Sequence, residues 1–85
     1  MIHFTRHASE KFRILRNHGV AISKSTVVRA VTHPEFIDRS RMPLKIAQVN
    51  FDKTRVLRVV YREEKDTKVV ITFYPGRKSQ YAKDS

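Results

Sequence analysis

Residues Arg55–Tyr74 read RVLRVVYREEKDTKVVITFY, two alternating runs on either side of a short polar turn. Alternation of period two marks a strand with one covered face, and two such runs joined by a few polar residues predict an antiparallel hairpin. Pairing them about that turn sets Leu57 opposite Phe73, Val59 opposite Ile71 and Tyr61 opposite Val69, all large and apolar or aromatic. The other face then carries Arg58 opposite Thr72, Arg62 opposite Lys68, and Val56 opposite Tyr74. A one-residue slip would mix the two sets. The hairpin commits the chain to a sheet with one greasy face and one face of cations, hydroxyls and phenols.

The elements before the hairpin supply a cover for the greasy face. Ile2–Phe4 reads as a short first strand. Thr5 is placed to cap a helix running to about Asn17, with Gly19 just past its end. Ala8, Phe12 and Leu15 follow the spacing of a buried stripe, and His7, Lys11, Ile14 and His18 lie along its flank. A second helix is expected from Lys24 to His33, with Ser23 as its cap, Val27, Ala30 and Val31 as its buried side and Pro34 as its stop. Glu35–Arg41 and Leu44–Phe51 read as extended segments separated by a turn at Met42–Pro43. Strands Arg55–Arg62 and Lys68–Tyr74 follow, and Pro75-Gly76 is expected to stop the sheet. Residues 77–85, GRKSQYAKDS less its glycine, are expected to be a loose basic tail. Short connections favour an antiparallel meander. The expected fold is a single α+β domain over 1–85, with two N-terminal helices on a three- to four-stranded antiparallel sheet and the Arg58/Thr72 face left partly open.

Eighteen Lys and Arg against eight Asp and Glu give a formal charge of +10 on 85 residues. The excess runs through both halves of the chain, so it is not a detachable tail. Such a domain attracts polyanions, and its association weakens steeply with salt. Nucleic acid is the leading partner and an acidic protein the next. No expected helix has the bulky apolar face that a membrane surface needs, and no segment is apolar enough to span one. Cysteine is absent, so neither a disulfide nor a thiolate metal site supports the fold. With no signal-peptide run in MIHFTRHASEK, a cytoplasmic location is expected.

The ordered words FTRHASEKF at 4–12, NHGVAIS at 17–23, VVRAVTHPEFI at 27–37, LRVVYRE at 57–63 and VVITFYPGRK at 69–78 cover most of the chain. With them the chain resembles the small DUF4258 family, which groups with the BrnT and RelE type ribonuclease toxins. The resemblance implies a RelE-like fold, an RNA-cleaving or RNA-binding sheet face, and an acidic antitoxin protein as a partner.

RNA is cleaved without a metal or cofactor when its 2′-hydroxyl attacks the adjacent phosphate. That step needs a base, cations for the charge building on the phosphoryl oxygens, and an acid for the leaving oxygen. The candidate catalytic residues are His7, Arg58, Thr72 and Tyr74, and the candidate phosphate-binding cations are Arg62, Lys68, Lys45, Arg77 and Lys78. Arg58 reads as a phosphate donor or equally as an arginine on a solvated sheet face. Arg62 and Lys68, expected as like-charged neighbours, repel unless an anion bridges them or the adjacent Glu63, Glu64 and Asp66 neutralise them. Histidine is a residue type suited to acid–base work near neutral pH, and His7 either serves that role or sits at the helix–sheet seam bonded to backbone. Thr72 could orient a phosphate and Tyr74 could stack on a base, although both are also good strand residues. His3 and His7 have no carboxylate or thiol to complete a metal site, and two glycines are too few for a phosphate-cradling loop. A ribonuclease, a non-catalytic RNA-binding or ribosome-associated module, and a basic domain that docks an acidic antitoxin all remain open at this level.

Overall fold

The structure, a computed structural model, describes residues 1–81. The chain runs β1 (Ile2–Phe4), α1 (Arg6–Asn17), α2 (Lys24–Thr32), β2 (Phe36–Asp38), β3 (Lys45–Asn50), β4 (Arg55–Glu64), β5 (Thr67–Arg77) and α3 (Lys78–Tyr81). One five-stranded sheet has the order β1-β5-β4-β3-β2. The α+β class stands. The expected three- to four-stranded antiparallel sheet becomes a mixed one, because β1 joins the far edge of β5 in parallel, Ile2 against Lys68 and Phe4 against Val70. A three-residue strand carries too little alternation to announce its partner. Among the described residues no helix is long and apolar enough to cross a membrane.

Both long helices begin where a side-chain oxygen satisfies a free N–H. The Thr5 hydroxyl accepts from Ala8 N at 3.1 Å, and the Ser23 hydroxyl accepts from Thr26 N at 3.2 Å. Gly19, at φ 82°, takes the left-handed turn after α1 that a side chain resists. Ala8, Val27, Ala30 and Val31 are fully buried against Leu57, Val59, Phe73 and Val70. Phe12 bridges the layers, its ring 4.6 Å from Phe73 and 5.9 Å from Phe4. Tyr61 lies in this core, and burial pushes its phenol up from the ordinary value.

The β4–β5 register differs from the sequence expectation. Glu64 pairs with Thr67 across a two-residue turn, with Lys65 at φ 55°. Tyr61 opposes Val70, Val60 opposes Thr72, and a bulge between the two ladders leaves Ile71 unpaired. Beyond it Val59 meets Phe73, Arg58 meets Tyr74, Leu57 meets Pro75 and Val56 meets Gly76. The helix-facing side of β5 is therefore built from Val70 and Phe73, not from Val69, Ile71 and Phe73. Period-two alternation is blind to a shift of two, so the turn and the bulge set the register.

Two further corrections concern the C-terminal end. Pro75-Gly76 does not stop the sheet, since β5 continues to Arg77. Of the tail expected to be loose, Arg77 is strand and Lys78–Tyr81 form α3, while residues 82–85 lie outside the described residues. α3 lies on the sheet face away from α1 and α2, with Tyr81 over Arg58. The second face is thus covered at Arg58 and open beside it.

Candidate functional site

Cross-strand pairing lines up Phe36, Gln48, Arg58 and Tyr74 in one row on the second face. Arg58 is 5% exposed. Its Nε donates to the Tyr74 hydroxyl at 3.2 Å, Nη1 to Gln48 Oε1 at 2.5 Å and Nη2 to Asp38 Oδ2 at 2.9 Å. Its outer surface is closed by the Tyr81 ring, 4.1 Å from ring centroid to guanidinium carbon. Burial pulls the guanidinium pKa down, but the bonds to Tyr74 and Asp38 outweigh it and raise the value. Asp38 also accepts from Ser40 N at 2.9 Å. Hydrogen bonds from Ser40, then Arg58, lower its carboxyl from 3.8 to about 2.

This network corrects the expectation of an open arginine. Every nitrogen of Arg58 already has a partner, so a phosphate would have to displace Tyr81 and compete with a carboxylate. Arg58 holds β2, β3, β4, β5 and α3 together. Sequence reasoning missed Asp38, Gln48 and Tyr81 as its partners. One signal was present: Gln48 is a polar residue between buried Ala47 and Val49. A polar side chain in such a run needs a partner, and the β3–β4 register supplies Arg58.

Thr72 is on the same face as Arg58 but opposes Val60, one row further along. It stands beyond the last β1 pairing, at Phe4 with Val70, where the edge of β5 is left to α1. His7 Nε2 lies 3.2 Å from the Thr72 hydroxyl, and Lys11 Nζ donates to the same oxygen at 3.4 Å. His7 and Lys11 are one helical turn apart on the flank of the buried stripe, which is why both reach this edge. Thr5 holds the junction by donating to Ile71 O at 3.3 Å. The structure brings His7 and Thr72 together and adds Lys11.

The predicted phosphate-binding cations divide into two groups. Lys45 is ion-paired with Glu63, and Arg62 with Glu64. Lys68 does not neighbour Arg62, because the register places Glu63 opposite it and Val69 opposite Arg62. It faces the helices, donating to Val31 O at 2.9 Å near the end of α2 and lying 5.8 Å from the Tyr61 ring. Arg77 and Lys78 lie instead at the opposite end of the hairpin. With Lys53, Thr54, Arg55 and Ser79 they line a shallow depression. Arg77 directly opposes Arg55, which Asp52 holds at 2.7 Å. Hydrogen bonding to Arg55 keeps that carboxyl below its ordinary value.

Between Tyr81 and the β2–β3 connection the second face opens into a pocket of about 430 Å³. Leu44, Ile46 and Val60 give it an apolar lining, and Asp38, Tyr74 and Arg41 give it polar groups. Its member Val60 is the cross-strand partner of Thr72, so the pocket and the His7–Lys11 edge adjoin. Among the described residues no three His, Asp or Glu side chains gather to hold a metal. No protein-family model, curated protein or solved structure matches the chain.

Proposed function

We propose that the chain is a cytoplasmic, RelE-like RNA-binding domain that cleaves RNA without a metal at the edge formed by His7, Lys11 and Thr72. The observation that carries the reading is the convergence of an imidazole and an ammonium on one hydroxyl, 3.2 and 3.4 Å away. In the reaction His7 takes the proton of the 2′-hydroxyl as that oxygen bonds to phosphorus. The bond from phosphorus to the 5′-oxygen breaks, and the leaving oxygen takes a proton from water. Lys11 neutralises charge on the phosphoryl oxygens, and Thr72 orients the phosphate. The excess of cations along the chain supplies the longer-range attraction.

End-labelled RNA incubated with the full chain tests this. The reading requires products with a cyclic phosphate and a free 5′-hydroxyl, formed equally with and without a chelator. Intact RNA after prolonged incubation with folded protein would overturn it.

A second reading is a non-catalytic RNA-binding module. The closure of Arg58 beneath Tyr81 favours it, since the guanidinium best suited to a transition state is engaged elsewhere. Lys53, Arg77 and Lys78 would then carry the interaction, and an acidic protein segment would compete with RNA for them.

A further inference from the structure

The pocket beside Tyr81 has the chemistry of a site for one nucleobase. Its volume, about 430 Å³, falls in the range of roughly 300–1,000 Å³ typical of small-molecule sites. Leu44, Ile46 and Val60 offer apolar surface to a flat ring, and the Tyr74 and Tyr81 phenols border it. Unpaired bases are held by proteins in this manner, stacked on aromatic groups and read along the Watson–Crick edge.

The polar groups discriminate among bases. Asp38 lines the pocket with a quarter of its side chain exposed. Its bonds from Arg58 and Ser40 keep it ionised, so it is an acceptor only. An ionised carboxylate has about four acceptor sites, more than the Ser40 backbone, the Ser40 hydroxyl and the Arg58 guanidinium fill. Two adjacent acceptors match two adjacent donors, and guanine alone among the four RNA bases presents that pair, at N1 and N2. Adenine and cytosine each present a donor beside an acceptor, and uracil a single donor between acceptors. Guanine then needs a donor for O6. The Tyr74 oxygen accepts from Arg58 Nε, which leaves its own hydrogen free to donate. Arg41 at the pocket can meet a phosphate.

We propose that this pocket binds the guanine base of RNA, with Asp38 accepting from N1 and N2 and Tyr74 donating to O6. The proposal rests on the RNA reading above and names the base it selects. It also fits the adjoining edge. Val60 under the base is paired with Thr72, so a nucleotide seated here sets its sugar and phosphate within reach of the neighbouring strand. Opposed residues of an antiparallel pair are about 5 Å apart.

The test is a titration of the full chain with guanosine, adenosine, cytidine and uridine 5′-monophosphates, followed by the methyl resonances of Leu44, Ile46 and Val60. Guanosine monophosphate should shift all three and bind about tenfold or more tighter than the others, the scale of one good bidentate base contact. Asp38→Asn should abolish that preference. If this variant fails to fold, Val60→Phe fills the pocket without touching the Arg58 network and should remove the shifts. Equal responses to the four nucleotides, or shifts confined to other residues, or none, overturn the proposal. Cleavage of RNA without guanosine monophosphate binding would remove the pocket and keep the ribonuclease. Binding of guanosine monophosphate with RNA left intact would keep the pocket and remove the ribonuclease.

Discussion

Gly76 and Tyr81 pack so closely that a Cβ on Gly76 would overlap the Tyr81 ring. Gly76 has no unusual backbone angle to serve here. It leaves the space that lets α3 fold back over the sheet and lay Tyr81 on Arg58. Gly76→Ala should therefore displace Tyr81 while the helix-side core stays intact. The expected result is faster hydrogen exchange at the Arg58 Nε–H with a loss of about 1 kcal/mol or less in unfolding free energy, because the group that must move ends a short terminal helix. Unchanged protection of that proton would show that α3 does not shield Arg58.

Arg58→Ala should cost about 3 kcal/mol or more in urea unfolding, since it leaves the Asp38 carboxylate and Gln48 amide without their partner in a covered site. The slope of log RNA affinity against log salt should be unchanged in the folded variant, since Arg58 neutralises no phosphate. A slope reduced by about 0.7 would restore Arg58 as a phosphate contact.

Acid should weaken this same clamp. The folded pKa of Asp38 is depressed from 3.8 to about 2. Its contribution is complete above the unfolded value and is lost as pH falls through the folded one. Between about pH 4 and about pH 2 the wild type should lose stability through this group, by less than the full shift implies because water screens a partly exposed carboxylate. The stability gap between wild type and Asp38→Asn, read from urea midpoints, should close over that window. A gap that is constant with pH would show that Asp38 is not held ionised by Ser40 and Arg58.

His7→Ala and Lys11→Ala address the chemistry at an edge that carries little of the core. His7 is exposed, so its truncation should leave thermal unfolding nearly unchanged. Cleavage should fall about a hundredfold or more if the imidazole is the base. RNA affinity should drop for Lys11→Ala and hold for His7→Ala. Equal cleavage by wild type and His7→Ala would assign any ribonuclease activity to other residues.

Arg77→Ala and Lys78→Ala should each lower RNA affinity without regard to sequence. Each should also reduce the slope of log affinity against log salt by about 0.7, the single-strand value for one lost phosphate contact. Arg62→Ala and Lys45→Ala, whose charges are paired with Glu64 and Glu63, should change it less. Filter binding across a salt series separates the two groups.

The helices were legible because their signals are local. Thr5 and Ser23 cap where a hydroxyl must, Gly19 turns where only glycine is at ease, and the apolar stripes repeat at the helical period. The hairpin and its buried Tyr61 were legible for the same reason. The site was legible in part. Arg58, Thr72 and Tyr74 do share a face, since alternation survives a shift of two. Their neighbours were not legible, because a bulge at Ile71 and a two-residue turn at Lys65 leave no period in the pattern.

What the residues determined alone is the buried stripe of each long helix, the helix-facing side of β4 at Leu57, Val59 and Tyr61, and a strongly cationic composition. Tertiary structure decided which polar groups meet. It carried Tyr81 and Asp38 from distant positions onto Arg58, turned Lys68 towards the helices, and brought His7 to Thr72 across 65 residues of chain. Burial is set by local composition, whereas a contact between two polar side chains depends on register and on which strand closes the edge. Those are properties of the assembled sheet and of no single segment.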